Sequence, residues 1–125
     1  MKLTNKEVLN IHETLTIIGN KEMDCVLSVK IARNNQKLME LACPVYEERN
    51  KLAEKYGKRD AKGELATNAE GNVILEKSGE YMAELKALME APCEAEISRF
   101  TMEEIKKMSP TANQIMFLFP VITEK

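Results

Sequence analysis

Acid–base chemistry near neutral pH rests most often on imidazole, and this chain has one, His12, flanked by Ile11 and Glu13. A nucleophilic thiol needs a base within reach, and Cys25, Cys43 and Cys93 lie far apart, with His12 as the sole candidate base. No pair of Cys and His residues stands at the spacing of a zinc site, and the five glycines occur one at a time, at turns and helix ends. A glycine-rich phosphate loop is therefore missing. These patterns predict no catalytic residue, no metal and no cofactor, and they give His12 a structural or surface role.

The residue types are better suited to holding an anion. Arg49, Lys51, Lys55, Lys58 and Arg59 surround Tyr56-Gly57 near what reads as a helix C-terminus, where cations are favoured by the helix dipole. Arginine beside tyrosine can hold a phosphate and stack a ring, so Arg49, Lys55, Tyr56, Lys58 and Arg59 are the candidate ligand contacts. Glu47, Glu48, Glu54 and Asp60 lie among them, so the cluster reads equally as a set of helix-surface ion pairs. Arg33 and Lys37, one turn apart further upstream, form a second candidate with fewer cations.

Both candidates lie on one long element. From Asp24 to Tyr56, Leu27, Ile31, Leu38, Leu41, Val45, Leu52 and Tyr56 fall on one side of a 3.6-residue wheel. The spacing predicts a single amphipathic helix, about 50 Å long at 1.5 Å per residue. A helix of that length must bend or project from its own core. Pro44 is the place for a kink, because it lacks an N–H and crowds the carbonyl of Glu40. Projection would serve pairing with a second copy, with Leu38, Leu41, Val45, Leu52, Phe117 and Phe119 as the candidate interface.

Before this helix, Thr4-Asn5-Lys6-Glu7 is a capping box that opens a helix with apolar positions Val8, Ile11, Leu15 and Ile18, and Gly19-Asn20 offers a left-handed exit. After it, Gly57 is a C-terminal stop. Glu64–Thr67 and Asn72–Glu76 read as a β-hairpin around residues 68–71. Ser78 caps a helix to Glu90 with Met82, Leu85, Leu88 and Met89 at helical spacing. Cys93, Ala95 and Ile97 alternate with polar residues as a half-buried strand beside that hairpin. Thr101–Glu104 is another capping box opening a helix to Met108, and Ser109-Pro110 reads as the start of the last helix, which Pro120 ends. Within that helix Phe117 and Phe119 cannot face the same way, so the run from Ile115 to Phe119 is divided between core and a subunit interface. The fold class is α+β, mainly helical, with the long helix packed on neighbouring helices and a small β-hairpin or three-stranded antiparallel sheet.

At 125 residues the chain predicts one domain with a modest core, which raises the expectation of a homo-oligomer. A net charge of −2 argues against duplex nucleic acid and anionic membrane as partners. Charge is unevenly spread: residues 1–62 carry twelve basic against nine acidic groups, and residues 64–104 carry three against ten. Opposed faces of this kind steer a second chain into register, or simply lie in solvent. Three scattered cysteines fit a reducing compartment, and no run approaches the ~20 apolar residues of a spanning helix.

The order of features resembles a family of short uncharacterised proteins encoded by tailed phages and prophages. The likeness is carried by Asn5-Lys6-Glu7-Val8-Leu9, Lys30-Ile31-Ala32-Arg33-Asn34, Pro44-Val45-Tyr46-Glu47-Glu48-Arg49 and Leu52-Ala53-Glu54-Lys55-Tyr56-Gly57. It continues through Asp60-Ala61-Lys62-Gly63-Glu64 and the Gly71-Asn72 turn to Ser109-Pro110. The resemblance implies action in the cytoplasm of an infected bacterium and brings no catalytic motif. It implies a binding protein that antagonises host defence by sequestering a host protein or a small anionic or nucleotide signal. The alternative it leaves is an accessory protein that docks on another virion protein during assembly.

Overall fold

The computed structural model describes residues 1–58, 61–64, 66, 67, 69, 74 and 78–123. The elements in chain order are strand β1 (Lys2–Thr4), helices α1 (Asn5–Ile18), α2 (Cys25–Tyr56) and α3 (Ser78–Glu90), strand β2 (Pro92–Glu94), and helices α4 (Met102–Met108) and α5 (Ala112–Leu118). A 3₁₀ turn, Phe119–Val121, follows α5. The architecture is α+β and mainly helical. No helix among the described residues is long and apolar enough to cross a membrane.

Local chemistry sets the helix starts. Thr4 with Glu7, Thr101 with Glu104, and Thr111 with Gln114 each form a reciprocal capping box. Asp24 caps α2, its Oδ1 accepting from the Leu27 N–H at 2.9 Å. That amide, and then Lys107 with its Nζ 3.3 Å away, hold the Asp24 carboxyl below its ordinary value. Helix α2 is continuous through Pro44, which lies on an exposed stretch where the carbonyl it leaves without a donor can bond water.

Several ends differ from expectation. Gly19 is right-handed, at φ −62°, and the chain leaves α1 through further turn bonds to Asn20 and Lys21. Ser109 closes α4 in the left-handed region, at φ 49°, and Thr111 takes the capping role that Ser109 was expected to have. The alternation at Cys93, Ala95 and Ile97 marks a strand only at its start, over Pro92–Glu94, with Ala95 and Ile97 beyond its end, and its partner is the N-terminal segment. Lys2 pairs with Glu94, Leu3 with Cys93 and Thr4 with Pro92, antiparallel. The expected hairpin turn lies largely outside the described residues; of its arms, Ala66 accepts at its carbonyl from the Ile74 N–H at 2.9 Å.

The chain forms two compact units, Met1–Cys43 with Pro92–Lys125, and Pro44–Ala91. In the first, α1 packs on α5, and the buried side chains come from β1, α1, α2, α4, α5 and the stretches beside them: Leu3, Ile11, Leu15, Leu27, Ile31, Leu38, Phe100, Ile105, Met108, Leu118 and Val121 among them. Of the second unit's described apolar side chains only Val45 is buried, and α3 buries none. Tyr56 and Tyr81 meet edge to face at 6.2 Å there, and Lys55 reaches Glu84. Hydrophobic stabilisation follows apolar burial, so it resides in the first unit. Replacing residues 44–91 by a Gly-Ser linker of roughly ten residues is expected to leave a cooperative thermal transition, whereas Leu38→Ala in the full chain is expected to cost about 2–5 kcal/mol in chemical denaturation.

Candidate functional site

Helix α2 carries Cys25, Val26, Val29, Lys30, Arg33, Asn34 and Lys37 at steps of one, three and four residues, which places them along one side. An extended segment, Ala95–Phe100, lies against that side. Asn34, only 3% exposed, holds it: Asn34 Nδ2 donates to the Ser98 carbonyl at 2.8 Å, and the Ser98 N–H donates to Asn34 Oδ1 at 3.0 Å. One turn back, Lys30 Nζ donates to the Arg99 carbonyl at 2.7 Å and to Glu104 Oε1 at 2.8 Å, and stands 5.1 Å from the centre of the Phe100 ring. Burial pushes the Glu104 carboxyl up, but Lys30 and the Thr101 N–H together outweigh it and hold the group below its ordinary value.

Two adjoining clefts flank the Asn34–Ser98 pair. The first, of about 410 Å³, is lined by Cys25, Val26, Val29, Lys30, Arg33, Asn34 and Ser98 and is predominantly apolar. The second, of about 470 Å³, is lined by Arg33, Asn34, Gln36, Lys37, Glu40 and Ser98 and is mixed in polarity. Arg33, Asn34 and Ser98 belong to both. Sizes of this order suit small-molecule sites. Among the described residues neither Arg33 nor Lys37 has an ion-pair or hydrogen-bond partner. The sequence pair Arg33 and Lys37 thus meets the clefts; Asn34 and Ser98, which shape them, gave no signal, because their pairing spans 64 residues.

The denser cation cluster has another geometry. The Arg49 guanidinium stacks 4.9 Å over the Tyr46 ring, and Lys51 pairs with Glu48 at 3.1 Å. Lys55 Nζ lies 3.2 Å from Glu84 and 5.1 Å from the Tyr56 ring, which raises the Lys55 pKa and lowers that of Glu84. Lys58 joins Ala66 and Ile74 through its backbone, and Arg59 lies outside the described residues. An anion at Lys51 or Lys55 competes with carboxylates already in place, whereas Arg49 has no carboxylate partner among the described residues. Of the interface candidates, Leu38 and Val45 are buried within the chain, Leu41 and Leu52 are half-buried, and Phe117 and Phe119 are 43% and 63% exposed.

His12 is structural in geometry: its Nδ1 lies 2.6 Å from Asn35 Oδ1, and Asn35 donates to Thr16 Oγ1 at 3.0 Å, tying α1 to α2. Burial, and then Glu94 and Glu7, push the Cys93 thiol up, away from the thiolate. The described residues contain no cluster of three or more His, Cys, Asp or Glu able to hold a metal. No family model, curated protein or solved structure matches the chain.

Removing either arm of the 30–34 clamp should show in stability. Asn34→Ala strands the Ser98 amide and carbonyl and is expected to cost about 1–3 kcal/mol in denaturant titration. The depressed Glu104 pKa stabilises the fold above the ordinary carboxylate range, and that contribution is lost as pH falls through the folded-state value. Glu104→Gln should accordingly flatten the acid limb of the stability–pH curve while costing about 1 kcal/mol at neutral pH.

Proposed function

We propose that the chain is a non-enzymatic binding protein of phage or prophage origin that sequesters a small anionic signal in the cytoplasm of the infected bacterium, with Arg33 and Lys37 as the primary contacts. The observation that carries this reading is the Arg33 guanidinium, which borders both clefts and lacks a carboxylate partner among the described residues. Guanidinium presents a planar fork of donors to an anion, and Asn34 beside it is already committed to Ser98, so the cleft floor is rigid.

The test is ligand-dependent thermal stabilisation over a panel of nucleotide and other anionic metabolites, followed by recovery of the ligand. A ligand at 100 times its Kd should add about 2.7 kcal/mol of stability and return chemically intact. Arg33→Ala with Lys37→Ala should abolish the shift, and Arg49→Ala with Lys55→Ala should leave it. Turnover of the ligand, or the reverse ranking of the two double variants, would overturn the reading.

A second reading rests on a different observation. Met116, Phe117 and Phe119 expose 61%, 43% and 63% of their surface around the end of α5, apolar area that a protein partner could cover. It favours self-association or docking on another virion protein. Native mass by light scattering separates these: two or more chains, reduced to one by Phe119→Glu, supports a homo-oligomer, and an unaltered monomer that co-purifies with a virion protein supports the accessory role.

A further inference from the structure

We infer that the occupant of the Arg33 cleft is a small aliphatic carboxylate, a monoanion with an extended apolar tail. This rests on the binding reading above and narrows its ligand.

The charge of the lining limits the head group. Lys30 is paired with Glu104, and the remaining lining charges are Arg33 and Lys37 against Glu40, a formal total of one positive charge, although Lys37 and Glu40 form no ion pair. One guanidinium takes one carboxylate in a bidentate fork, whereas a phosphate monoester near neutral pH brings almost twice the charge. The apolar cleft then dictates what is attached to the carboxylate. Val26 is 78% exposed and Val29 48%, and with Cys25 they form its wall. β-Branched residues gain nothing from an exposed helical position. Their burial by a ligand tail would recover roughly 25 cal/mol for each Å² covered.

Hydrogen-bond accounting selects a tail over a peptide strand. Both backbone groups of Ser98 are taken by Asn34, and the Arg99 carbonyl is taken by Lys30. Ser98, the residue of this segment that lines both clefts, therefore has neither backbone group free for an added strand. A hydrocarbon tail makes no such demand. From Val26 to Arg33 is seven residues, about 10 Å along the helix axis, which is the reach of an extended chain of roughly eight carbons.

Octanoate, below its micelle concentration, is the probe, titrated into the full chain with detection by calorimetry and by backbone amide NMR shifts. Octanoate is expected to bind one to one, to shift the amides around Val26, Val29 and Arg33, and to weaken at least tenfold in Arg33→Gln and in Val29→Asp. Octanol, octylamine and octyl phosphate are each expected to bind at least tenfold more weakly than octanoate. Both substitutions replace exposed side chains, and an unchanged circular dichroism spectrum establishes that they fold. Equal binding of octanol or octylamine would overturn the proposal, as would preferential binding of octyl phosphate. If acetate and inorganic phosphate shift the Arg33 region as strongly as octanoate, the tail is irrelevant and only the broader anion reading stands. If no anion shifts it, both fail.

Discussion

One carboxamide organises the first unit. Ser98 itself pairs with no strand among the described residues, and Asn34 supplies what a strand would have supplied, a donor and an acceptor at one point. With Ser98 held, Ala95 and Phe100 are both buried, at 1% and 0% exposure. Phe100 passes the order on: its N–H donates to the Val121 carbonyl, and its carbonyl accepts from the Thr123 N–H, each at 2.8 Å. A helix, an extended segment and the stretch after α5 are thus linked in series, by side chain to backbone at Asn34 and Ser98 and by backbone to backbone at Phe100. A buried amide bonded at both its nitrogen and its oxygen contributes uniqueness as well as stability, because no apolar substitute can satisfy both Ser98 groups.

Features encoded over short distances were legible in the sequence, and those encoded over long ones were not. The boxes at Thr4 and Thr101, and the helix start at Asp24, are patterns within four residues, and each stands where the sequence places it. The box at Thr111 was equally short, yet Ser109-Pro110 offered a competing start, and the competition was settled by Ser109 taking the left-handed closing position of α4. The Cys93 strand was visible as alternation, but alternation carries no information about its partner, three residues at the far end of the chain. Likewise Arg33 and Lys37 could be seen as a cationic pair, while the clefts beside them depend on a contact to residue 98.

Density of charge and availability of charge are separate properties. The distal helix has more cations than the segment around Arg33, but it also has carboxylates one turn away or on α3, and exposed pairs of that kind form at little cost. The pair nearer the N-terminus has fewer acidic neighbours. A cation is free to bind when its surroundings lack a competitor, so isolation is a more informative property than number. The same reasoning explains why Lys30, closest of all to the extended segment, is occupied: Glu104 comes with the capping box that starts α4.

The division of the core has a consequence for how the chain is made. The core of the first unit joins residues 1–43 to Phe100, Leu118 and Val121, so it cannot close until those have been synthesised. At about 5–20 residues per second that leaves the N-terminal helices waiting for seconds on the ribosome with an apolar face uncovered. The interval is exposure to holdases, to other nascent chains, and to mispairing. The intervening segment 44–91, which supplies little of the core, acts in that period as a delay whose length is set by translation rather than by folding.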